Sequence, residues 1–219
     1  MVSELICEDI RRILKTKFIN DEFIADKSGA KMIEIVGAKF LANEESIFGN
    51  VNHDYVQREI EWYRSESRNV NDIPGKVPLI WKKISSPMGD INSNYGWCIW
   101  SEENGRQYQN VKKELLANPD SRRTSMIYQR PSMHIEATEE GMDDFICTYG
   151  VDYFIRDSKL HSVVHMRSND VIYGYKNDRA WQIYVLQMLA NDLGYEVGDL
   201  HWSVSSLHVY ERHFDLLWE

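Results

Sequence analysis

The sequence predicts an α+β fold. Helical spacing dominates its first half and alternating strand patterns its second, and the two are interspersed without the regular rhythm of βαβ units. The 219 residues contain no low-complexity tract, internal repeat or clear linker, so one compact domain spanning 1–219 is expected, large enough to bury a substantial core.

In Ser3 to Lys15, apolar Leu5, Ile6, Ile10, Ile13 and Leu14 recur at helical spacing. A turn-like loop, Asp26-Lys27-Ser28-Gly29-Ala30-Lys31, precedes an alternating Ile/Val-rich strand from Met32 to Leu41. His53 to Arg68 reads as a helix with Tyr55, Val56, Ile60 and Tyr63 on one stripe. Val70 to Asn94 holds three of the five prolines and reads as a long functional loop. A helix from about Gly105 to Ala117 is closed by Asn118-Pro119. Strands follow at Thr124 to Tyr128, Asp144 to Ile155, Leu160 to Arg167 and about Trp202 to Tyr210. Between the last two lies a helix beginning at Asn177 or Asp178, with Ala180, Trp181, Tyr184, Val185, Met188 and Leu189 on its buried face and Gly194 as C-cap.

Composition is ordinary for a globular protein, 43% hydrophobic and 27% charged. No apolar run is long enough to span a bilayer, and the first residues lack the basic and apolar regions of a secretory leader. Cys7, Cys98 and Cys147 form no CxxC pair, which predicts a reducing, cytoplasmic setting without disulfides or a cysteine zinc site. A net charge of −9 disfavours a general nucleic-acid binder, although a local basic pocket could still hold one phosphate.

Several residues could carry chemistry, each with a bland alternative. Cys147 falls in Phe145-Cys147-Tyr149-Val151-Tyr153, alternate residues of a strand; a core thiol and a nucleophile activated by a cation such as Arg167 both fit. Glu59 falls within the apolar stripe of its helix, where a carboxylate is either desolvated for acid–base work or at the stripe edge, paired with Arg58 or Arg64. Arg122-Arg123 follows a turn and offers two forked donors suited to a phosphate, or simple surface charge. Asp178 suits a helix N-cap and, compatibly, recognition of a polar ring edge. His208 and Tyr210 share one face of a strand; His201, His208 and His213 make no convincing metal constellation.

Taken together, Gln57-Arg58-Glu59-Ile60-Glu61-Trp62-Tyr63, Asn92-Ser93-Asn94-Tyr95-Gly96-Trp97, Asn118-Pro119-Asp120-Ser121-Arg122-Arg123 and Met166 through Trp181 resemble the thymidylate synthase superfamily, most closely its deoxycytidylate 5-hydroxymethylase branch in T-even-like phages. The resemblance implies a thymidylate synthase-like fold whose sheet forms a homodimer interface, 5,10-methylenetetrahydrofolate as co-substrate and no metal. It implies Cys147 as nucleophile, Glu59 as proton relay and Tyr95 in the catalytic cavity. Phosphate would be held by Lys27, Arg167 and Ser168, with Arg122 and Arg123 reaching into the partner subunit's site. Asn169, His208 and Tyr210 would hold base and sugar, and Trp81, Asp170 and Gly174 the folate. Asp178 stands where uracil-specific members carry Asn, and so implies cytosine. Departures are Lys27 in place of Arg, Ile84 in place of a second tryptophan, Ile146-Cys147-Thr148 in place of Pro-Cys-His, and Tyr149, Gly150 and Asp152 near the nucleophile. Rival expectations are a cytidylate hydroxymethylase, a thymidylate synthase acting on deoxyuridylate, and a non-catalytic dimeric nucleotide-binding paralogue.

Overall fold

A computed structural model describes residues 4–139 and 141–218. In chain order its elements are α1 (Cys7–Ile19), β1 (Ile24–Ala25), β2 (Lys31–Leu41), α2 (His53–Arg64), α3 (Leu79–Ile84), α4 (Tyr95–Trp100), α5 (Gln107–Ala117), β3 (Ser125–Ile127), α6 (Met133–Glu139), β4 (Thr148–Arg156), β5 (Lys159–Asp170), α7 (Gly174–Leu193) and β6 (Glu196–Tyr210). Short 3-10 turns cover Val70–Asp72 and Glu211–Trp218. The chain divides into two compact units, Met1–Val51 with Asp152–Glu219, and Asn52–Val151. Among the described residues no helix is long and apolar enough to cross a membrane.

The first unit is built on a mixed sheet ordered β1-β2-β6-β5-β4. There β2 runs antiparallel to β1 and β6, while β6 runs parallel to β5. The α+β class is as the sequence predicts. Helix α7 packs on β5 and β6, burying Trp181, Gln182, Val185, Leu186, Leu189 and Ala190. Its buried stripe is thus rotated from the expected one, for Ala180, Tyr184 and Met188 are only half-buried. Gly194 ends it in the left-handed region (φ 75°), and Tyr195 N–H returns to Ala190 O, as a glycine C-cap requires.

The start of α7 corrects the sequence reading. The Asp170 carboxylate accepts Ile172 N–H (2.6 Å) and Tyr173 N–H (3.4 Å), so the turn forms early and the helix begins at Gly174. Asp178 is therefore one turn inside α7 and is not its N-cap. The face assigned to the Cys147 strand also needs correction. Ile146, Thr148 and Gly150 are buried, then Val151, Tyr153 and Ile155; the parity changes where Gly150 and Val151 are buried in succession. Cys147 lies at a bend before β4 and is half-buried, on the opposite parity from Val151 and Tyr153.

The second unit gives each residue of Asn92–Trp97 a structural task. Asp144, buried, accepts Asn92 N–H and Ser93 N–H (2.7 Å each) and the Ser93 hydroxyl (2.6 Å). Asn92 Oδ1 accepts from Arg68 (2.9 Å) and Arg130 (3.1 Å), whose guanidinium carbons each lie 4.7 Å from the Trp97 ring centroid. Asn94 caps α4 through Trp97 N–H and ties it to α2 by donating to Trp62 O (3.0 Å). Gly96 lets the two backbones meet, because a Cβ there would lie 1.8 Å from Tyr63 O. Gly96→Ala should therefore force the α2–α4 contact apart and lower the melting temperature by roughly 5–10 °C. An unchanged thermal melt would contradict this packing.

Candidate active site

In the first unit the parallel register of β5 and β6 places Ser168 beside Ser206, Asn169 beside Leu207 and Asp170 beside His208. Asn169, 3% exposed, is held between two partners of opposite demand. Trp202 Nε1 donates to its Oδ1 (3.3 Å), and its Nδ2 donates to Asp178 Oδ2 (2.8 Å). An indole nitrogen can only donate, so the amide cannot be flipped and Asp178 Oδ2 must accept. Asp178 is thus held as an acceptor, with its helix supplying the placement. Gly174 makes this possible: a Cβ there would stand 3.0 Å from Asn169 Nδ2 and 3.6 Å from Asp178 Oδ2.

His208 and Tyr210 share a face as expected, their rings 5.0 Å apart and edge-on. His208 is buried beside Ser206, whose hydroxyl donates in turn to Glu34 on β2. Burial, then the Asp26 and Asp170 charges, push the Tyr210 phenol up. The Ser28 hydroxyl, with the Ala30 and Ser28 amides and Tyr210, holds the Asp26 carboxyl below its usual range. Asp26 thereby links Tyr210 to the turn carrying exposed Lys27. Arg167 and Ser168 are half-buried on β5.

In the second unit Glu59 is buried, 4% exposed, so it does not reach solvent from the stripe edge. Tyr55, one turn earlier on α2, donates its hydroxyl to Glu59 Oε1 (2.5 Å) and accepts from Trp81 Nε1 (2.8 Å). Trp81 meets Trp62 edge-on (5.3 Å), Trp62 stacks on Tyr63, and Tyr63 stacks on Tyr95 (5.2 Å each). Tyr95 Oη accepts from Thr148 Oγ1 (3.0 Å), beside Cys147 in the chain. The aromatic ladder therefore joins the Glu59 helix to the segment of the thiol. Arg122 and Arg123 are exposed in a turn fixed by Ser121, which bonds Glu114 and accepts Arg123 N–H.

The departures have local explanations. Gly150 admits Met126 O, which a Cβ would meet at 2.9 Å. Asp152 faces His165 at 3.1 Å, Tyr149 is exposed, and Ile84 is half-buried at the end of α3. Among the described residues, His161, Asp199 and His201 bring possible metal-donor atoms within 4.8 Å, at the other end of the β5–β6 pairing from Asp170 and His208. There His161 Nδ1 accepts Asp199 N–H and His201 Nδ1 meets Glu4 at 2.6 Å. An open groove of about 450 Å³ lined by Arg11, Lys15, Glu44, Phe48 and Leu216 includes none of the sequence-predicted residues. Sequence reasoning missed Tyr55 and Trp202 as polar partners. The i, i+4 spacing of Tyr55 and Glu59 was the available signal for the first.

The sequence pattern of the thymidylate synthase family matches residues 20–219, and the chain belongs to that family. It is 52% identical to the deoxycytidylate 5-hydroxymethyltransferases of Enterobacteria phages T4, T2 and T6, over an alignment of 225 residues covering 99% of this chain and 92% of each relative. Among solved structures, thermostable thymidylate synthase A from Bacillus subtilis superposes with a TM-score of 0.73 at 24% identity, covering 96% of this chain and 82% of that one. At that identity the likeness is one of fold.

Asn169→Asp tests the acceptor assignment without changing side-chain volume. Two carboxylates would then face each other, one of them with a raised folded-state pKa, so stability is lost as pH rises and regained as it falls. The variant should be about 1–3 kcal/mol less stable than the parent at neutral pH in urea denaturation, with the deficit shrinking toward about pH 5. Equal stability at both pH values would contradict the assignment.

Proposed function

We propose that the protein is a deoxycytidylate 5-hydroxymethyltransferase. The observation that carries the reading is the Asp178 carboxylate, held as an acceptor by an Asn169 amide that Trp202 prevents from flipping. Cytosine presents an exocyclic amine donor beside its ring nitrogen, so it matches an acceptor; uracil presents a carbonyl there and does not. A buried polar group left unpaired is what rejects the wrong base. The 52% identity to relatives named for this activity supports the same substrate.

The reading assigns the reaction as follows. Cys147 thiolate, with Arg167 as the candidate cation that favours it, adds to carbon 6 of the pyrimidine, so that carbon 5 becomes nucleophilic. The co-substrate 5,10-methylenetetrahydrofolate supplies a one-carbon unit at the oxidation level of formaldehyde. Trp81 suits a flat ring system of that kind: it is half-exposed, and α3 leaves Leu79 and Ile80 exposed around it. Asp170 and Gly174 are assigned to folate binding. After the carbon–carbon bond forms and the carbon 5 proton is removed, tetrahydrofolate departs, leaving an exocyclic methylene. Glu59 then directs water onto that methylene, and elimination of Cys147 releases the product. The sum is deoxycytidylate, methylenetetrahydrofolate and water giving 5-hydroxymethyldeoxycytidylate and tetrahydrofolate, with no hydride moved. Tyr95 braces the Cys147 segment through Thr148.

Lys27, Arg167 and Ser168 hold the phosphate, while Asn169, His208 and Tyr210 position base and sugar. The enzyme acts as a homodimer in which exposed Arg122 and Arg123 complete the partner's phosphate site, and Val36 (78% exposed) and Val197 (40%) on the sheet are covered by the second subunit.

The test is tritium release from 5-tritiated deoxycytidylate, deoxyuridylate and cytidylate, each with methylenetetrahydrofolate, followed by product mass. Release from deoxycytidylate with a hydroxymethyl product is expected. Release confined to deoxyuridylate or cytidylate would overturn the substrate, and release from none would overturn the chemistry. Cys147→Ser should lose detectable turnover yet retain deoxycytidylate binding; substantial turnover would remove the nucleophile assignment.

A further inference from the structure

We propose that Tyr55 is a positioning residue that holds Glu59 in its ionised, proton-accepting form, with its own proton aimed by Trp81. The proposal rests on the reading of Glu59 as the proton relay. Tyr55 and Glu59 stand one helical turn apart on α2, so the backbone fixes their spacing. The phenol has one proton to give. Trp81 Nε1 approaches its oxygen at 2.8 Å and can only donate, so the oxygen accepts there and the proton is directed at Glu59 Oε1.

A carboxylate buried to 4% exposure needs donors to remain charged, and a hydroxyl aimed at it favours the charged form. Burial, followed by the Glu59 charge, raises the Tyr55 phenol far above its ordinary value, so it stays a donor throughout the working range. Arg58 also bears on Tyr55: its guanidinium carbon lies 5.4 Å from the Tyr55 ring centroid and its Nε pairs with Asp54. From α3 the facing group is the neutral Trp81.

Tyr55→Phe keeps the ring and removes the donor. The pH dependence of kcat for formation of 5-hydroxymethyldeoxycytidylate is the decisive readout. With the donor gone, Glu59 holds its proton to higher pH, and the acid limb should move up by about one pH unit. At the plateau kcat should fall about tenfold, while KM for deoxycytidylate stays within about twofold. Adding Tyr55→Phe to Glu59→Gln should cost less than about a further twofold, because the group it acts through is already gone.

An unmoved acid limb, a fully additive loss in the double variant, or a lowered melting temperature with kcat and KM changed together would each overturn the proposal. If Glu59→Gln alone turned over at the parent rate, the failure would lie with the proton-relay reading and would take this proposal with it.

Discussion

An indole N–H has a proton to give and no lone pair to receive one, and a carboxylate network in each unit depends on that asymmetry. Trp202 donates to Asn169, which donates to Asp178; Trp81 donates to Tyr55, which donates to Glu59. In each chain the middle residue could point either way if isolated, since an amide and a hydroxyl both give and accept. The tryptophan removes that freedom, and the chain ends on a carboxylate held as an acceptor. Such an arrangement is preorganised: the donors are aligned before a ligand arrives, so no reorientation is needed during reaction.

Close backbone approach carries these chains. Gly174 gives the Asn169–Asp178 bond its room, and Gly96 lets α4 meet the α2 backbone at Tyr63. A methyl group at 96 would collide with Tyr63 O, and one at 174 would crowd Asn169 Nδ2. Buried Asp144 has the complementary role of gathering the amides of Asn92 and Ser93, so that the segment entering α4 has its donors satisfied without a regular strand. The Arg68 and Arg130 guanidiniums flank Trp97 and share the Asn92 oxygen, fixing the same segment from its other side.

Much of the fold was legible because periodicity reports burial. The strands at 31–41, 159–170 and 196–210 and the long helix ending at Gly194 follow alternating or helical patterns. Glu59 was findable for the same reason, as a carboxylate in an apolar stripe. The errors share a cause in side-chain bonds that override local pattern. Asp178 read as an N-cap because aspartate favours that position, but Asp170 turns the chain earlier and moves the helix start to Gly174. The Cys147 face was misjudged because Gly150 and Val151 are buried in succession. Tyr55 counted as one more apolar residue, and its polar role depends on Trp81, 26 residues away in a proline-rich stretch. Asn169 and Trp202 are 33 residues apart, a pairing that no local window contains.

The central claim is that an oriented carboxylate at 178 selects cytosine. It is tested most directly by measuring kcat/KM for deoxycytidylate and deoxyuridylate with the parent and with Asp178→Asn. With Asn169 Nδ2 donating to its oxygen, an amide at 178 turns its own donor outward, where it meets the carbonyl of uracil and opposes the amine of cytosine. The account predicts a parent preference for deoxycytidylate of at least about 10³-fold and its collapse or inversion in the variant. A variant that still prefers deoxycytidylate by the parent ratio would contradict it.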